Sequence, residues 1–309
     1  MAPGPITGIV PPVCTPLTPD LEVDDRSLER LLTFLLDAGV DAVFLLGSSG
    51  ETAYLPDRHR ARVLEVAVSV VAGQVPVLGG AIDMTSPRVL DHARTVQQSG
   101  ADAVVATAPF YTRTHPAEIE QHFRAVAAGV DLPLYAYDLP VSVQVKLRPE
   151  MLLALAADGV LAGVKDSSGD DGGLRRLLGR RARSGPDGFG VLTGSELTVD
   201  SALFAGADGA VPGLGNVDPH GYVALAGHVR AGDHKAAADE QDRLLQLFGI
   251  VEAGDPARIG PSSSALGAFK AALHLRGIID CPATMTPQLP LLDTEVDGIR
   301  RHLETAGLR

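Results

Sequence analysis

Gly39-Val40-Asp41-Ala42-Val43 returns nearly letter for letter as Gly100-Ala101-Asp102-Ala103-Val104, and again as Gly206-Ala207-Asp208-Gly209-Ala210-Val211. In each copy a glycine follows a segment of helical period and an apolar run of strand length comes next, so the motif marks a junction where a helix stops and a strand starts. The first junction closes a helix opened by Asp24-Asp25-Arg26-Ser27 and carried by Leu28, Leu31, Leu32, Leu35 and Leu36.

The cycle extends in both directions. Strands are expected at about Gly8 to Val13, Ala42 to Leu46, Val75 to Leu78, Ala103 to Thr107, Leu134 to Tyr137, Leu161 to Lys165, Phe189 to Leu192 and Gly209 to Val211, alternating with helices. Strand starts recur about every thirty residues, the length of one βα unit. Eight strands by about residue 215 favour an α/β fold closed into a (β/α)8 TIM barrel over an open doubly wound sheet. The remainder is Ala- and Leu-rich, with breaks at Gly254-Asp255-Pro256, Gly260-Pro261 and Cys281-Pro282. The expected organisation is therefore a catalytic barrel over 1–220 and a C-terminal helical extension over 221–309 packed on it.

The chain has 309 residues, of which 45% are hydrophobic and 21% charged, as in a soluble globular protein with room for a large core. Its net charge of −12 argues against nucleic acid or an anionic membrane as partner. Met1-Ala2-Pro3-Gly4-Pro5-Ile6 has no basic start or long apolar core, and no apolar run reaches the length of a bilayer span. Cys14 and Cys281 are far apart and in no metal-ligand spacing, so the expectation is a cytoplasmic protein with two buried, inert thiols.

The chemistry is sought where barrel strands end. There are four lysines, Lys146, Lys165, Lys235 and Lys270, against twenty-two arginines. Lys235 and Lys270 lie in segments of helical period, where a lysine snorkels to water, and Lys146 precedes Arg148-Pro149 and is expected to be exposed. Only Lys165, in Leu161-Ala162-Gly163-Val164-Lys165-Asp166, caps an apolar strand. Partial desolvation there favours the free amine, a nucleophile toward carbonyl carbon, although a strand-end lysine can also simply reach water or pair with Asp166. Gly163, two residues below, is expected to leave room beneath the amine. Tyr135 and Tyr137 share a face of their strand, with Tyr137 nearer the mouth. Gly47-Ser48-Ser49-Gly50 can turn backbone N–H groups toward a carboxylate. Taken singly, two serines before a glycine are ordinarily a turn, and a strand tyrosine is ordinarily core.

Together these segments resemble the dihydrodipicolinate synthase and N-acetylneuraminate lyase family of pyruvate-dependent class I aldolases. The resemblance rests on Gly47-Ser48-Ser49-Gly50-Glu51, on Tyr137-Asp138-Leu139-Pro140 in the place of the family's Tyr-Asn-x-Pro, and on Gly163-Val164-Lys165-Asp166, and it covers nearly the whole chain. It implies a carbon–carbon lyase in which Lys165 forms a Schiff base with pyruvate or another 2-oxo acid, with no metal and no separate cofactor. Tyr137 would move protons, and Ser48 would link it to Tyr111, which in this family reaches a neighbouring subunit's site. Ser49 and the N–H groups flanked by Gly47 and Gly50 would hold the carboxylate, and the Val211 carbonyl and Gly194 would line the lysine's pocket. A homotetramer built as a dimer of dimers is also implied.

The synthase's arginine, two residues past the motif's proline, is replaced here by Ser142. This departure favours a 2-keto-3-deoxy sugar acid or similar 4-hydroxy-2-oxo acid over aspartate semialdehyde, the substrate of 4-hydroxy-tetrahydrodipicolinate synthase. A barrel that binds a 2-oxo acid without turning it over is the third reading, and Asp138 is a change without an evident reason in sequence.

Other features carry less. The histidines show no metal-binding spacing. Gly194-Ser195 and Pro212-Gly213-Leu214-Gly215-Asn216 could form a phosphate site as in other barrels. Arg175, Arg176, Arg180, Arg181 and Arg183 are expected on a solvent face.

Overall fold

The computed structural model describes residues 4–308. Met1-Ala2-Pro3, part of the stretch read for a leader, and Arg309 lie outside them. Eight parallel strands run as β1 (Gly8–Ile9), β2 (Val43–Leu45), β3 (Val77–Gly80), β4 (Ala103–Thr107), β5 (Leu134–Asp138), β6 (Gly163–Asp166), β7 (Gly190–Thr193) and β8 (Gly209–Ala210). Consecutive strands pair from β2 to β8, and β8 pairs with β1. The ring closes between β1 and β2, where Val13 donates to the Phe44 carbonyl at 2.8 Å and Phe44 donates to that of Pro11 at 3.0 Å. The regular ladder of β1 is short because Pro11 and Pro12 have no N–H to give it. The fold is the expected TIM barrel with helices C-terminal to it.

Helices α1 (Asp25–Asp37), α2 (Asp57–Val71), α3 (Ser86–Ser99), α4 (Pro116–Ala128), a short α5 (Pro140–Val143), α6 (Pro149–Ala157), α7 (Asp171–Ser184) and α8 (Val199–Phe204) surround the ring. The repeated junction has a physical basis in two of its residues. Gly39, Gly100 and Gly206 have φ of +80°, +86° and +98°, a left-handed turn that a Cβ would strain. The aspartates two residues on accept backbone N–H groups of adjacent strands at the base of the ring. Asp41 holds Ile9 at 2.8 Å, Asp102 holds Val77 at 2.8 Å, and Asp208 holds Val191 at 2.6 Å.

Side chains alternate between two cores. Leu31, Leu35, Val63, Phe123, Leu152 and Val191 pack between strands and helices. Val10, Phe44, Leu78, Val105, Tyr135, Tyr137, Leu192 and Val211 fill the ring's interior. Beyond β8 come α9 (Pro219–Arg230), α10 (His234–Phe248), α11 (Pro261–Leu275) and α12 (Asp293–Thr305). Helix α11 packs on the turn Gly213–Asn216, which follows β8, and so lies over one side of the mouth. No helix among the described residues is long and apolar enough to cross a membrane.

Three expectations about individual side chains are corrected here. Lys270 is not on the surface: it is 1% exposed, pairs with Glu51 and donates to the Ala283 carbonyl at 2.7 Å. Helix α11 is apolar almost all round, from Leu266 to Leu273, so it has no solvent face there for a lysine to use. Cys14 is buried, which pushes its thiol up to about 12, whereas Cys281 is only half-buried. Arg181 leaves the solvent-facing group of arginines to bind Asp208 and the Phe189 and Gly206 carbonyls.

Candidate active site

Strands β5 and β6 pair with Tyr137 opposite Lys165 and Asp138 opposite Asp166. The alternation that puts Tyr135 and Tyr137 inside the ring puts Lys165 there too, at 6% exposure. Its Nζ lies 4.1 Å from the centroid of the Tyr137 ring and 5.1 Å from that of Phe44. The Tyr137 hydroxyl is 3.2 Å from Ser48 Oγ. Burial raises the Tyr137 phenol, but the Lys165 charge, the Ser48 hydrogen bond and the nearby donors of Lys165 and Ser167 outweigh it, leaving the phenol below its usual range.

Asp166 is not the partner of Lys165. It binds Lys146, which also binds Asp138, so Lys146 is a half-buried clamp and not the exposed residue expected from sequence. Asp138 finds its reason in the same contact, together with the Leu147 N–H at 3.1 Å. The space below the amine is also not empty. A Cβ on Gly163 would fall 2.4 Å from the Tyr135 ring, which fills that position and whose hydroxyl accepts the Ile6 N–H at 2.9 Å. Gly194 is needed for close approach, since its Cβ would meet Ser167 Oγ at 1.9 Å and Lys165 Cε at 3.2 Å. Val211 lines the same small void as Lys165.

The loop after β2 is held at both ends by non-glycine residues in the left-handed region, Leu46 at φ +59° and Glu51 at φ +60°. Close packing supports it, because a Cβ on Gly80 would lie 2.1 Å from the Leu46 carbonyl. Among the described residues the N–H groups of Ser48, Ser49 and Gly50 donate to no protein acceptor. Ser48 and Ser49 open onto a cleft of about 400 Å³ at the mouth, with Thr107, Phe110, Leu139, Ser142 and, from α11, Ser262 and Phe269 on its walls. No lysine or arginine is in that lining. Tyr111 is not brought to Ser48 within one chain: it is 91% exposed, at φ +69°, beside a neighbouring pocket that also touches Ser142.

Glu196, Ser167 and Lys146 are site features that sequence reasoning did not select. Glu196 accepts the N–H groups of Gly213 and Leu214 at 2.7 and 3.0 Å. Those are the donors that a phosphate after strand eight would need, so the phosphate-site alternative loses its cradle. Burial raises the Glu196 carboxyl to about 7 against those two bonds and the Lys165 charge. Ser167 was within reach, since it stands two residues past Lys165 and hence on the same face. Among the described residues no three His, Cys, Asp or Glu side chains group as metal ligands.

The model of the dihydrodipicolinate synthetase family matches residues 5–306. A 4-hydroxy-tetrahydrodipicolinate synthase of Shewanella sp. (strain ANA-3) is 30% identical over 277 residues, covering 89% of this chain and 90% of the relative. An uncharacterized DapA-like lyase of Halobacterium salinarum is 33% identical over 301 residues, covering 97% and 94%. YagE of E. coli K12, a prophage protein of the dihydrodipicolinic acid synthase family solved in complex with pyruvate, superposes with a TM-score of 0.90 at 29% identity, covering 98% of this chain and 99% of its own. A family match over nearly the whole length therefore joins a barrel mouth that holds the lysine, the tyrosine and the serine loop together: the chain belongs to the dihydrodipicolinate synthetase family and is a carbon–carbon lyase.

Proposed function

We propose that the enzyme makes or breaks a carbon–carbon bond to pyruvate through a Schiff base on Lys165, acting on a 2-keto-3-deoxy sugar acid or a similar 4-hydroxy-2-oxo acid. The observation that carries this reading is the buried Lys165 amine 4.1 Å from the Tyr137 ring centroid, with the phenol bonded to Ser48 at the mouth. The amine attacks C2 of the oxo acid, and Tyr137 delivers a proton to the carbinolamine oxygen, which leaves as water to give a protonated imine. In cleavage the Tyr137 phenolate takes the proton of the C4 hydroxyl, the C3–C4 electrons move into the imine, and the aldehyde departs. Protonation at C3 and hydrolysis of the imine then free pyruvate and the lysine. A phenol held below its usual range suits the base role.

Ser49 and the uncommitted N–H groups between Gly47 and Gly50 bind the carboxylate. Gly194 and Val211 shape the space around the amine, and no cofactor or metal takes part. The cleft wall at Ser142 carries hydroxyls and apolar groups without a cation, which supports a hydroxylated fragment over aspartate semialdehyde. The synthase reading is favoured instead by the name of the Shewanella relative, and pyruvate as the shared substrate is supported by the YagE complex. The enzyme is a cytoplasmic homotetramer, a dimer of dimers, and the exposure of Tyr111 supports one part of that reading, that this residue completes a neighbour's Ser48–Tyr137 relay.

Borohydride reduction in the presence of pyruvate, followed by peptide mass measurement, tests the reading. An adduct on Lys165 is expected, and an unmodified Lys165 overturns it. Pyruvate release from sugar acids, against condensation with aspartate semialdehyde, then separates aldolase from synthase, and turnover of neither identifies a silent binder.

A further inference from the structure

Lys146 stands behind the reacting pair. Asp138 and Asp166 directly follow Tyr137 and Lys165 and lie opposite each other in the β5–β6 register. Both carboxylates are buried on the outer face of the ring. Two carboxylates on neighbouring strands repel unless a cation separates them or one takes a proton. Lys146 supplies the cation, contacting Asp138 and lying 3.2 Å from Asp166 Oδ2. Among the described residues no other ion pair reaches either carboxylate, while Tyr137 and Lys165 occupy the opposite face, where the Lys165 charge also acts on Glu196.

We propose that Lys146 is a positioning residue for the Tyr137–Lys165 pair: by bridging Asp138 and Asp166 it fixes the relative height of the two strand ends and of the loop that carries Ser142. The backbone makes the coupling concrete. Ser167, whose hydroxyl acts on the Tyr137 phenol, donates its N–H to the Asp138 carbonyl at 2.9 Å. Asp166 accepts the Ser168 N–H at 2.9 Å, and Asp138 accepts that of Leu147 at 3.1 Å. Lys146 follows α5 by three residues, so the same ammonium anchors the cleft wall at Ser142. Without it, repulsion between the carboxylates pushes apart the strand ends whose side chains must meet.

This inference rests on the Schiff-base reading, and its test separates the two. The rate of borohydride trapping with pyruvate is followed against pH for the wild type, Lys146→Met, Lys146→Arg and the double variant Asp138→Asn/Lys146→Met, each normalised to folded protein by thermal unfolding. Lys146→Met is expected to trap about tenfold more slowly than wild type at pH 8, the ratio recovering as pH falls and Asp138, whose burial already raises its carboxyl, takes up a proton. Lys146→Arg restores the rate, and the double variant shows a ratio that no longer depends on pH. If Lys146→Met does not fold, Lys146→Gln serves in its place with the same expected pH dependence. Lys146→Met, or Lys146→Gln in its place, trapping like wild type at every pH overturns the inference alone, as does a loss that is independent of pH and equal in the double variant. A wild type that traps nothing overturns the Schiff-base reading, and the inference with it.

Discussion

Glu51 and Lys270 meet as an ion pair closed to solvent on both sides, joining the last residue of the serine loop to helix α11. Glu51 also accepts the Met285 N–H at 2.7 Å and the Gln288 side-chain amide at 2.9 Å, so helix α11 and the turn from Met285 to Gln288 converge on one carboxylate. Removing one partner of such a pair leaves the other charge buried. Lys270→Met is therefore expected to lower stability by about 3–5 kcal/mol in chemical denaturation. Lys235→Met, at an exposed pair with Asp239, is expected to leave the denaturation midpoint unchanged.

The proposed proton transfer through Tyr137 gives a graded pair of variants. Tyr137→Phe is expected to reduce kcat by about 10²–10⁴-fold in a pyruvate-release assay while leaving thermal stability nearly unchanged. Ser48→Ala removes one of the hydrogen bonds that lower the phenol. Its expected effect is a loss of about tenfold, with the alkaline-side limb of the rate profile moved to higher pH.

Glu196 sets a sign for stability against pH. Its carboxyl is raised from 4.5 to about 7 in the folded chain, so between those values the folded state keeps a proton that the unfolded state has lost. This group's contribution therefore favours folding below pH 4.5 and is lost as pH rises through about 7. In Glu196→Gln the slope of melting temperature against pH across that window is expected to be shallower, whatever the absolute stability. An unchanged slope counts against the assignment.

Space around the amine is tight enough to test with one carbon. Gly194→Ala places a Cβ against Ser167 Oγ and Lys165 Cε. A fold retained by circular dichroism, with borohydride trapping slowed by at least about tenfold, is the expected result. Trapping at the wild-type rate would show that this approach does not matter.

The acceptor side is probed by Ser142→Arg. A guanidinium added to a cleft lined by hydroxyls and apolar groups is expected to weaken turnover of neutral sugar acids and to improve use of an aldehyde bearing a carboxylate. Parallel assays of the two substrate classes measure the switch.

The barrel and the meeting of Tyr137 with Lys165 inside it are legible because both rest on local pattern. The Gly-x-Asp junctions state the βα period, and Lys165 is the only lysine at the end of an apolar strand. What escaped depends on partners distant in sequence. Lys270 reads as a surface residue until α11 is seen to be apolar on nearly every side, and Asp138 has no rationale until Lys146 returns from the next loop to meet it. Gly163 shows the limit of a pattern argument: a missing side chain tells that something needs room, and here it was the ring of Tyr135 and not a substrate.

Asp41, Asp102 and Asp208 fasten adjacent strands at the end of the barrel opposite the lysine. This divides labour along the barrel axis. Cohesion is invested in a foundation away from the mouth, and the upper loops are left free to be rewritten one residue at a time. A replacement such as serine for arginine at position 142 then changes the mouth without unpicking the masonry beneath.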